Sequence, residues 1–279
     1  MPGTRKPVPE QALTAGAMNF TFCAQTDAGR VRVNNEDAVA LDEAARLAVL
    51  ADGMGGYSAG EVASNMATSL IGAELGHWLC EATPNTSVSD VKRAIGTCVD
   101  HANAAILEAS RANARYAGMG TTLVVAVFWR EQLLLGHIGD SRCYRLRGNT
   151  LEPISKDHSL LQEQLDAGWL TPAQAVNSPI RNLVTRALGV DTEVQLELHV
   201  HRVHNGDIYL LCSDGLSDMV DDVALAAVLR QRKPLAKMAD ELVLLANDMG
   251  GRDNIAVVLA QAQGQTEQPR LISRWLGKQ

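Results

Sequence analysis

The feature that most restricts the fold is a pair of long helical patterns that follow each other with no strand between them. Apolar residues recur on one helix face over residues 60–79 and again over 90–114, and Ser87 and Asp90 have the spacing of a capping box before the second helix. Strand-like runs lie on both sides, and several are joined by connections short enough for hairpins. This order predicts an α+β protein in which antiparallel sheets carry paired helices, rather than a series of alternating βαβ units.

Strand and helix patterns fill most of the chain. Strands are predicted at 20–26, 46–51, 121–129, 132–138, 141–147, 194–200, 207–213 and 255–262. Shorter helices are predicted at 160–167, 172–176, 222–230 and 234–249. No internal repeat or low-complexity linker interrupts residues 18–263, so this span is predicted to be one domain between tails at 1–17 and 264–279.

Composition limits the kinds of binding partner and the cellular location that are expected for the chain. The 279 residues are 46% hydrophobic and 20% charged, which is ordinary for a soluble globular protein, and the net charge of -7 argues against a nucleic-acid partner. No apolar run of about 18 residues occurs, and the first residues lack the apolar core of a signal peptide, so no membrane association is expected. Five scattered cysteines with no CxxC pair predict neither a zinc knuckle nor a disulfide framework, and they favour a reducing, cytoplasmic location.

Acidic residues occupy the ends of the predicted strands. Asp52 and Asp214 each end an apolar run and are followed by a glycine, and Asp253 comes just before the last strand. The other acids at strand ends or in the adjoining turns are Glu36, Asp37, Asp140 and Asp218, the last of them one helical turn after Asp214.

Carboxylates beside buried strand ends cost free energy unless something neutralises their charge, and several at one edge repel one another. Mg²⁺ and Mn²⁺ relieve both costs because they are hard cations that prefer oxygen ligands. Each motif also has a simpler interpretation taken alone. Asp-Gly pairs are common in hairpin turns, Glu36 and Asp37 could form a solvated turn, and Arg32 could be an ordinary exposed strand charge. The combination favours an acidic pocket for divalent cations.

A competing interpretation concerns the segment RLAVLADGMGGYSAGEVASNM at 46–66, which nearly matches a dinucleotide-binding fingerprint. That fingerprint requires a second strand with an acidic residue near its end, about 20 residues further on. Here the helix pattern continues and a second helix follows, so the context disagrees with nucleotide binding. The phosphate-binding pattern G-x-x-x-x-G-K-[ST] does not occur either.

Eight segments occur in a fixed order along the chain: TDAGRVRVNNEDA (26–38), ADGMGGYSAGEVAS (51–64), GMGTTLVVAV (118–127), HIGDSRCYRL (137–146), KDHSLLQEQLDAGWLT (156–171), RNLVTRALG (181–189), LLCSDGLSDMV (210–220) and GRDNIAVVL (251–259). Taken together and in this order, they resemble the bacterial branch of the protein phosphatase 2C, or PPM, family. The resemblance implies an α-β-β-α sandwich in which two antiparallel β-sheets face each other and a helix pair covers each outer side.

The resemblance also implies a metal centre at one end of the sheets. Asp52, assisted by the carbonyl of Gly53, would bridge two Mn²⁺ or Mg²⁺ ions. Asp214 and Asp253 would complete one ion's site, and Glu36 would contact the other ion.

Further roles follow from the same resemblance. Asp37 would hold metal-bound waters, and Arg32 would bind the substrate phosphate. Asp140 and Asp218, together with Asp214, match a third metal site of bacterial members. Residues 155–190 match a flap that borders the active site and shapes the binding of protein substrates.

The implied activity is hydrolysis of phosphoserine and phosphothreonine in proteins by a metal-activated water, with no protein nucleophile. Met54 stands where animal members carry a histidine proposed as general acid, so a metal-bound water, or else His158 of the flap, would protonate the leaving oxygen. The water is favoured.

The implied partners are phosphorylated proteins and a serine/threonine kinase whose products the enzyme reverses, and the chain is expected to be a monomer. The alternative is a phosphatase-like binding module without turnover. Such modules usually lose metal-binding acids or the phosphate arginine, whereas this chain retains all of them.

Overall fold

The structure, a computed structural model, describes residues 18–56, 59–175 and 183–264. Its strands are β1 (Asn19–Asp27), β2 (Asp37–Asp42), β3 (Leu47–Met54), β4 (Gly120–Thr121), β5 (Leu123–Trp129), β6 (Gln132–Ile138), β7 (Arg142–Arg147), β8 (Thr150–Pro153), β9 (Glu197–Arg202), β10 (Ile208–Cys212) and β11 (Ile255–Gln263). Its helices are α1 (Ala59–Glu81), α2 (Val88–Ala112), α3 (Leu160–Asp166), α4 (Pro172–Ala175), α5 (Asp214–Ser217), α6 (Asp222–Arg230) and α7 (Leu235–Asp248). The predicted tail at 1–17, residues 265–279 of the other tail, and residues 176–182 of the predicted flap lie outside the described residues.

The strands form two antiparallel sheets. The order in the first is β1-β11-β10-β7-β8, and the order in the second is β2-β3-β5-β6-β9, with β4 paired to the end of β3. Short hairpins supply several of these pairs, as the spacing of the sequence predicts; β5 and β6, for example, pair from Leu123 with Ile138 to Trp129 with Gln132.

Apolar side chains on both faces of each sheet fix the order of the layers. One buried cluster lies between the sheets and includes Leu50, Phe128 and Tyr209. A second cluster packs α1 and α2 against the β2–β9 sheet, and a third packs α6 and α7 against the β1–β8 sheet. The predicted α-β-β-α sandwich is therefore confirmed, because each sheet buries one face against the other sheet and the other face against a helix pair.

The helix termini follow local sequence signals. The predicted capping box is present at the start of α2: the Asp90 amide donates to Ser87 Oγ at 3.2 Å, and the Ser87 amide donates to Asp90 Oδ2 at 3.0 Å. Although α1 and α2 have 23 and 25 residues, no helix in the described ranges is apolar and long enough to span a membrane.

Several strand predictions need correction. Strand β2 was not predicted, because DAVALD is short and bounded by acids and forms through its pairing with β3. Glu36 therefore lies just before an edge strand, and Asp37 begins that strand. Strand β8 was also missed, and the strand expected at 194–200 lies at Glu197–Arg202, where it pairs with β6.

Candidate metal centre

The predicted acids lie around one end of the two sheets. In the second sheet, Asp37 begins β2, Asp52 lies near the end of β3, and Asp140 follows β6. In the first sheet, Asp214 follows β10 at the start of α5, and Asp253 comes two residues before β11. Because neighbouring strands are antiparallel, the last residue of one strand and the first residue of its neighbour lie at the same end of the sheet. The fold therefore brings together acids that are separated by more than two hundred residues, from Asp37 to Asp253.

Asp37 and Asp52 face each other directly across the β2–β3 pair. The Asp52 carboxyl approaches the carboxyls of both Asp37 and Asp214, so it lies between a residue of each sheet. Asp52 is thus the central acid of the cluster.

Asp37 is the most buried of these three acids, with 7% of its surface exposed. Its Oδ2 accepts a hydrogen bond from Ser213 Oγ at 2.7 Å, whereas its buried Oδ1 has no hydrogen-bond partner within the described structure. Burial, with the charges of Asp214 and Asp253, raises the pKa of Asp37 to about 7, although the Ser213 hydrogen bond opposes the rise. A carboxylate in this position requires either a proton or a nearby cation.

The same two causes act on Asp52. Burial raises its pKa well above the ordinary value, and the charges of Asp37, Asp214, Asp140 and Asp253 add to the effect in that order. The acids named for the centre therefore act on one another as a single cluster of negative charge.

Two of the three acids of the implied third site, Asp214 and Asp140, behave likewise. Burial raises the pKa of Asp214 to about 6, with Asp253 and Asp218 contributing. Burial raises the pKa of Asp140 to about 7, with Asp214 contributing next. Asp218 lies one helical turn beyond Asp214, and its amide donates to the Asp214 carbonyl at 2.7 Å, as the spacing predicts.

These residues fit a hard divalent cation. The side chains around Asp52 supply carboxylate oxygens, the ligands that Mg²⁺ and Mn²⁺ prefer, and the buried Oδ1 of Asp37 has a free lone pair. A cation would offset the cost of burial and the mutual repulsion that together raise these pKa values.

Glu36 reaches the cluster through two close glycine contacts. The Gly53 amide donates to the Glu36 carbonyl at 3.0 Å. A Cβ at Gly53 would lie 2.1 Å from the carbonyl oxygen of Gly60, and a Cβ at Gly60 would lie 2.5 Å from Glu36 Oε2. Both positions therefore need glycine so that the end of β3, the start of α1 and Glu36 can meet.

Arg32 lies at the exposed rim of the centre. Its Nη2 donates to Asp253 Oδ2 at 2.8 Å, and the Arg32 side chain is 55% exposed. The guanidinium is therefore held beside the acids while much of it remains accessible to a ligand.

The turn that carries Asp140 is connected to β3 by hydroxyl groups. Thr122 Oγ1 accepts a hydrogen bond from the Asp52 amide at 2.9 Å and lies 2.8 Å from Ser141 Oγ. Gly139 in this turn has a φ of +97°, and a Cβ there would lie 2.7 Å from Thr122 Cγ2. Close packing in this turn fixes Asp140 relative to Asp52.

His158 is a structural residue of this region. Its Nδ1 accepts from the Gly139 amide at 3.1 Å, so its Nε2 carries the proton and donates to Glu197 Oε2 at 3.1 Å. The ring is buried and stacks on His137 with centroids 4.7 Å apart. Because both ring nitrogens are occupied, His158 does not point a free proton towards a leaving group.

Two residues that sequence reasoning did not assign a role prove central to the geometry. Ser213 accepts from the Ala256 amide at 2.9 Å while it donates to Asp37, so it links β10, β11 and β2. Asn254 is buried and binds three backbone groups of the segment that carries Arg32 and Glu36: its Oδ1 accepts from the Glu36 amide at 2.8 Å, and its Nδ2 donates to the carbonyls of Ala28 and Asn34 at 3.0 and 2.8 Å. Their only sequence signal is that each directly adjoins a predicted ligand.

We expect Asn254→Ala to lower the free energy of unfolding by about 2–4 kcal/mol, because it leaves buried backbone groups without partners. It should also lower catalytic efficiency, since Arg32 and Glu36 lose their common support. Chemical denaturation checks the first effect. Asn65→Ala, which removes a single exposed side-chain bond on α1, is the matched control and should change stability by less than about 0.5 kcal/mol. Equal stability of the two variants would contradict the role given to Asn254.

One sequence pattern offers a different chemistry. GYSAG at 56–60 has the spacing of a G-x-S-x-G nucleophile elbow and lies between a strand and a helix. That elbow belongs to the sheet of α/β-hydrolases, whereas β3 pairs antiparallel with each of its neighbours, and Ser58 lies outside the described residues. The fold brings together the carboxylates of the acid cluster, so the chemistry of the site rests on them and not on this serine.

Comparison with known proteins agrees with this geometry. The Protein phosphatase 2C family model matches residues 26–260, which include each candidate site residue from Arg32 to Asp253. The chain belongs to the protein phosphatase 2C family. The resemblance inferred from the eight segments is therefore confirmed.

Relatives in this phosphatase family come from several bacteria. The chain is 36% identical over 240 residues to the serine/threonine phosphatase stp of Listeria welshimeri, with 85% of this chain and 94% of that protein covered. It is 42% identical over 250 residues to the serine/threonine protein phosphatase PstP of Mycobacterium tuberculosis, where the match covers 88% of this chain and 46% of the relative.

A solved structure extends the comparison to the metal. The crystal structure of the PstP catalytic domain in complex with two manganese ions superposes with a TM-score of 0.76 and 39% identity, and the match covers 88% of this chain and 99% of that chain. The fold and the metal-dependent phosphatase class of this chain thus rest on both sequence and structure.

Proposed function

We propose that this metal-dependent serine/threonine protein phosphatase holds two Mn²⁺ or Mg²⁺ ions with Asp52, the Gly53 carbonyl, Asp214, Asp253 and Glu36, and that Asp37 holds metal-bound waters. The observation that carries the proposal is the cluster around Asp52, in which buried carboxylates raise one another's pKa and Asp37 Oδ1 lacks a hydrogen-bond partner. A pair of hard cations would stabilise buried carboxylates in such an arrangement. When bound, the ions would polarise the phosphoryl group and lower the pKa of water.

Residues of the chain position the centre and bind the phosphoryl group of the substrate. Asp52 joins the two sheets at the centre, where the register of β2 and β3 fixes its carboxyl opposite Asp37. Arg32 binds the phosphoryl oxygens, for which it must share or leave its ion pair with Asp253. Because Met54 cannot donate a proton and both nitrogens of His158 are occupied, water supplies the proton to the leaving oxygen.

The same proposal includes a third cation held by Asp140, Asp214 and Asp218, since, in addition to burial, the charge of Asp214 raises the pKa of Asp140 and the charge of Asp218 raises the pKa of Asp214. In this proposal the substrates are phosphorylated proteins, and the enzyme removes phosphate groups that a serine/threonine kinase has added. The enzyme acts as a monomer. The free, scattered cysteines support a reducing, cytoplasmic location. Residues 18–263 would form the catalytic domain, with the flap at 155–190 next to the site.

The test is hydrolysis of p-nitrophenyl phosphate and of a phosphothreonine peptide with Mn²⁺, with Mg²⁺ and with EDTA. We expect turnover with either metal and none in EDTA. Asp214→Asn should abolish turnover. A well-folded protein that binds phosphopeptide and turns over neither substrate would instead support the alternative, a phosphatase-like binding module.

Arg32→Lys is expected to lower kcat/KM for p-nitrophenyl phosphate roughly 10²-fold, because a lysine cannot present paired donors to the phosphoryl oxygens. Arg30→Lys is the matched control. Arg30 lies two residues away on the same exposed loop and is expected to change kcat/KM less than about twofold. Equal effects at the two positions would reject Arg32 as the phosphate ligand.

A further inference from the structure

Three histidines and one glutamate meet where β6, β9 and the start of the flap come together, and none of them is among the acids proposed to bind Mn²⁺ or Mg²⁺. His137 on β6 pairs with Glu197 on β9, and His158 stacks on His137 with ring centroids 4.7 Å apart. One donor atom from each of these three residues lies within 4.8 Å of the other two. His199, two residues beyond Glu197 and on the same face of β9, places its Nε2 2.6 Å from Glu197 Oε1.

His137 offers a buried lone pair. Its shorter contact at Nε2, 2.8 Å from the Lys156 carbonyl, makes Nε2 the protonated nitrogen, so Nδ1 is unprotonated. Within the described structure Nδ1 is buried and has no hydrogen-bond partner, which is costly for a polar atom in a fully buried side chain. A histidine that binds a metal through one nitrogen usually donates the other N–H to a carbonyl or carboxylate, and His137 already has this arrangement. Burial also lowers the pKa of His137, which favours the neutral ring that a metal requires.

Glu197 and His199 supply two further donors. Although burial raises the pKa of Glu197, hydrogen bonds from His199 and His158 lower it to about 2, so the carboxylate is ionised. His158 Nδ1 accepts from the Gly139 amide, so its protonated Nε2 holds Glu197 Oε2 at 3.1 Å and is not itself a ligand. The other oxygen, Oε1, faces His199. The His199 side chain is 48% exposed, so its ring can release the Nε2 proton and carry one on Nδ1 instead.

Two imidazoles and one carboxylate are the donors of a zinc site that keeps one position for water. Imidazole suits Zn²⁺, whereas Mg²⁺ and Mn²⁺ prefer oxygen. Zinc ligands lie about 2.0–2.2 Å from the ion, so ligand atoms in a tetrahedral site are about 3.3 Å apart. The contact between His199 and Glu197 must open slightly, and the donor atoms of His137 and Glu197, at most 4.8 Å apart, must approach by at most about 1.5 Å. The partly exposed side chains of Glu197 and His199 have room for these movements.

We propose that His137, Glu197 and His199 form a zinc site separate from the acid cluster, with His158 holding the glutamate in place. The site goes beyond the proposed function, because the phosphatase reaction uses none of its three ligands. The guanidinium of Arg186 lies close by, with Nη1 3.4 Å from His158 Nε2, and its positive charge limits the affinity of the site for a cation.

The test is equilibrium dialysis of the full chain against Zn²⁺, in the wild type and in two variants, Glu197→Gln and His199→Gln. Both positions are partly exposed, so the variants are expected to fold, and thermal unfolding checks this. Each substitution should weaken zinc binding at one site roughly 100-fold or more, so a variant binds one ion fewer at zinc concentrations that saturate the wild type. Zinc held by the acid cluster is common to all these proteins and cancels in the comparison.

His101→Gln is the matched control. His101 Nδ1 lies 2.9 Å from Glu74 Oε1 in another partly exposed histidine–glutamate pair, but among the described residues this pair belongs to no group of three donors within 4.8 Å. It should leave zinc binding unchanged. A peak at the zinc absorption edge between β6 and β9, present in wild-type crystals and absent from His199→Gln crystals, would support the proposal. Equal zinc stoichiometry and affinity in the wild type and the folded Glu197→Gln variant, or zinc at the acid cluster only, would overturn it.

Discussion

Asp52→Asn is expected to lower manganese-dependent hydrolysis of p-nitrophenyl phosphate by roughly 10³-fold or more. Asparagine keeps the shape of the side chain but removes the negative charge at the centre of the cluster. Loss of metal-held charge stabilisation is worth several kcal/mol, and about 4 kcal/mol corresponds to a factor of 10³ in rate. Steady-state kinetics at saturating Mn²⁺ check this result.

The same substitution should stabilise the protein in EDTA. Without metal, Asp52 is penalised by burial and by the charges of its acidic neighbours, and asparagine carries neither penalty. The thermal midpoint of the metal-free variant should therefore exceed that of the wild type, by about 2–4 °C for each kcal/mol relieved. Asp100→Asn makes the same chemical change at an exposed position of α2 and should alter neither activity nor midpoint. A metal-free variant less stable than wild type would contradict the electrostatic account.

The second large effect concerns pH. Burial raises the pKa of Asp37 and of Asp140 to about 7 and that of Asp214 to about 6, whereas the unfolded value for each is 3.8. Between pH 4 and pH 7 the metal-free folded state therefore binds more protons than the unfolded state, so its stability falls as pH rises. The stabilisation is fully present below pH 4 and is lost as pH passes through the folded-state values. Because one pKa unit corresponds to about 1.4 kcal/mol, a loss of at least about 3 kcal/mol is expected in EDTA.

Saturating Mn²⁺ should reverse this trend, because the cation competes with protons for the same carboxylates and gains affinity as pH rises. Burial lowers the pKa of His137 and His201, so below pH 6.5 these two histidines make the stability of the folded state rise with pH, opposite to the effect of the acids. The Asp52→Asn variant retains these histidines, so the difference between wild type and variant isolates the acid cluster. Thermal midpoints from pH 5 to pH 8 in EDTA and in Mn²⁺ check the prediction. A metal-free wild type whose stability rises across this range would contradict it.

Much of the architecture followed from local sequence patterns. The α1–α2 pair, its capping box at Ser87 and the β5–β6 hairpin have strong period and turn signals, and the structure confirms them. Strand β2 has no comparable signal, because its six residues form a strand only through pairing with β3. Prediction failed where tertiary pairing, rather than local preference, determines the conformation.

The same distinction between local sequence signals and tertiary contacts applies to the residues of the candidate metal centre. The positions of Asp52, Asp214 and Asp253 could be predicted because each acid adjoins an apolar strand run. The support from Asn254 and Ser213 could not, since a buried amide or hydroxyl acquires its role only from partners far away in the chain. His158 illustrates the reverse case, in which a residue suited to catalysis by type is engaged by Gly139 and Glu197.

The most direct test is a crystal grown with Mn²⁺ and measured at the manganese absorption edge. The account predicts anomalous peaks for two ions at the sheet end, with Asp52 between them, Asp214 and Asp253 on one and Glu36 on the other. Peaks elsewhere, or these carboxylates apart with no ion between them, would contradict it.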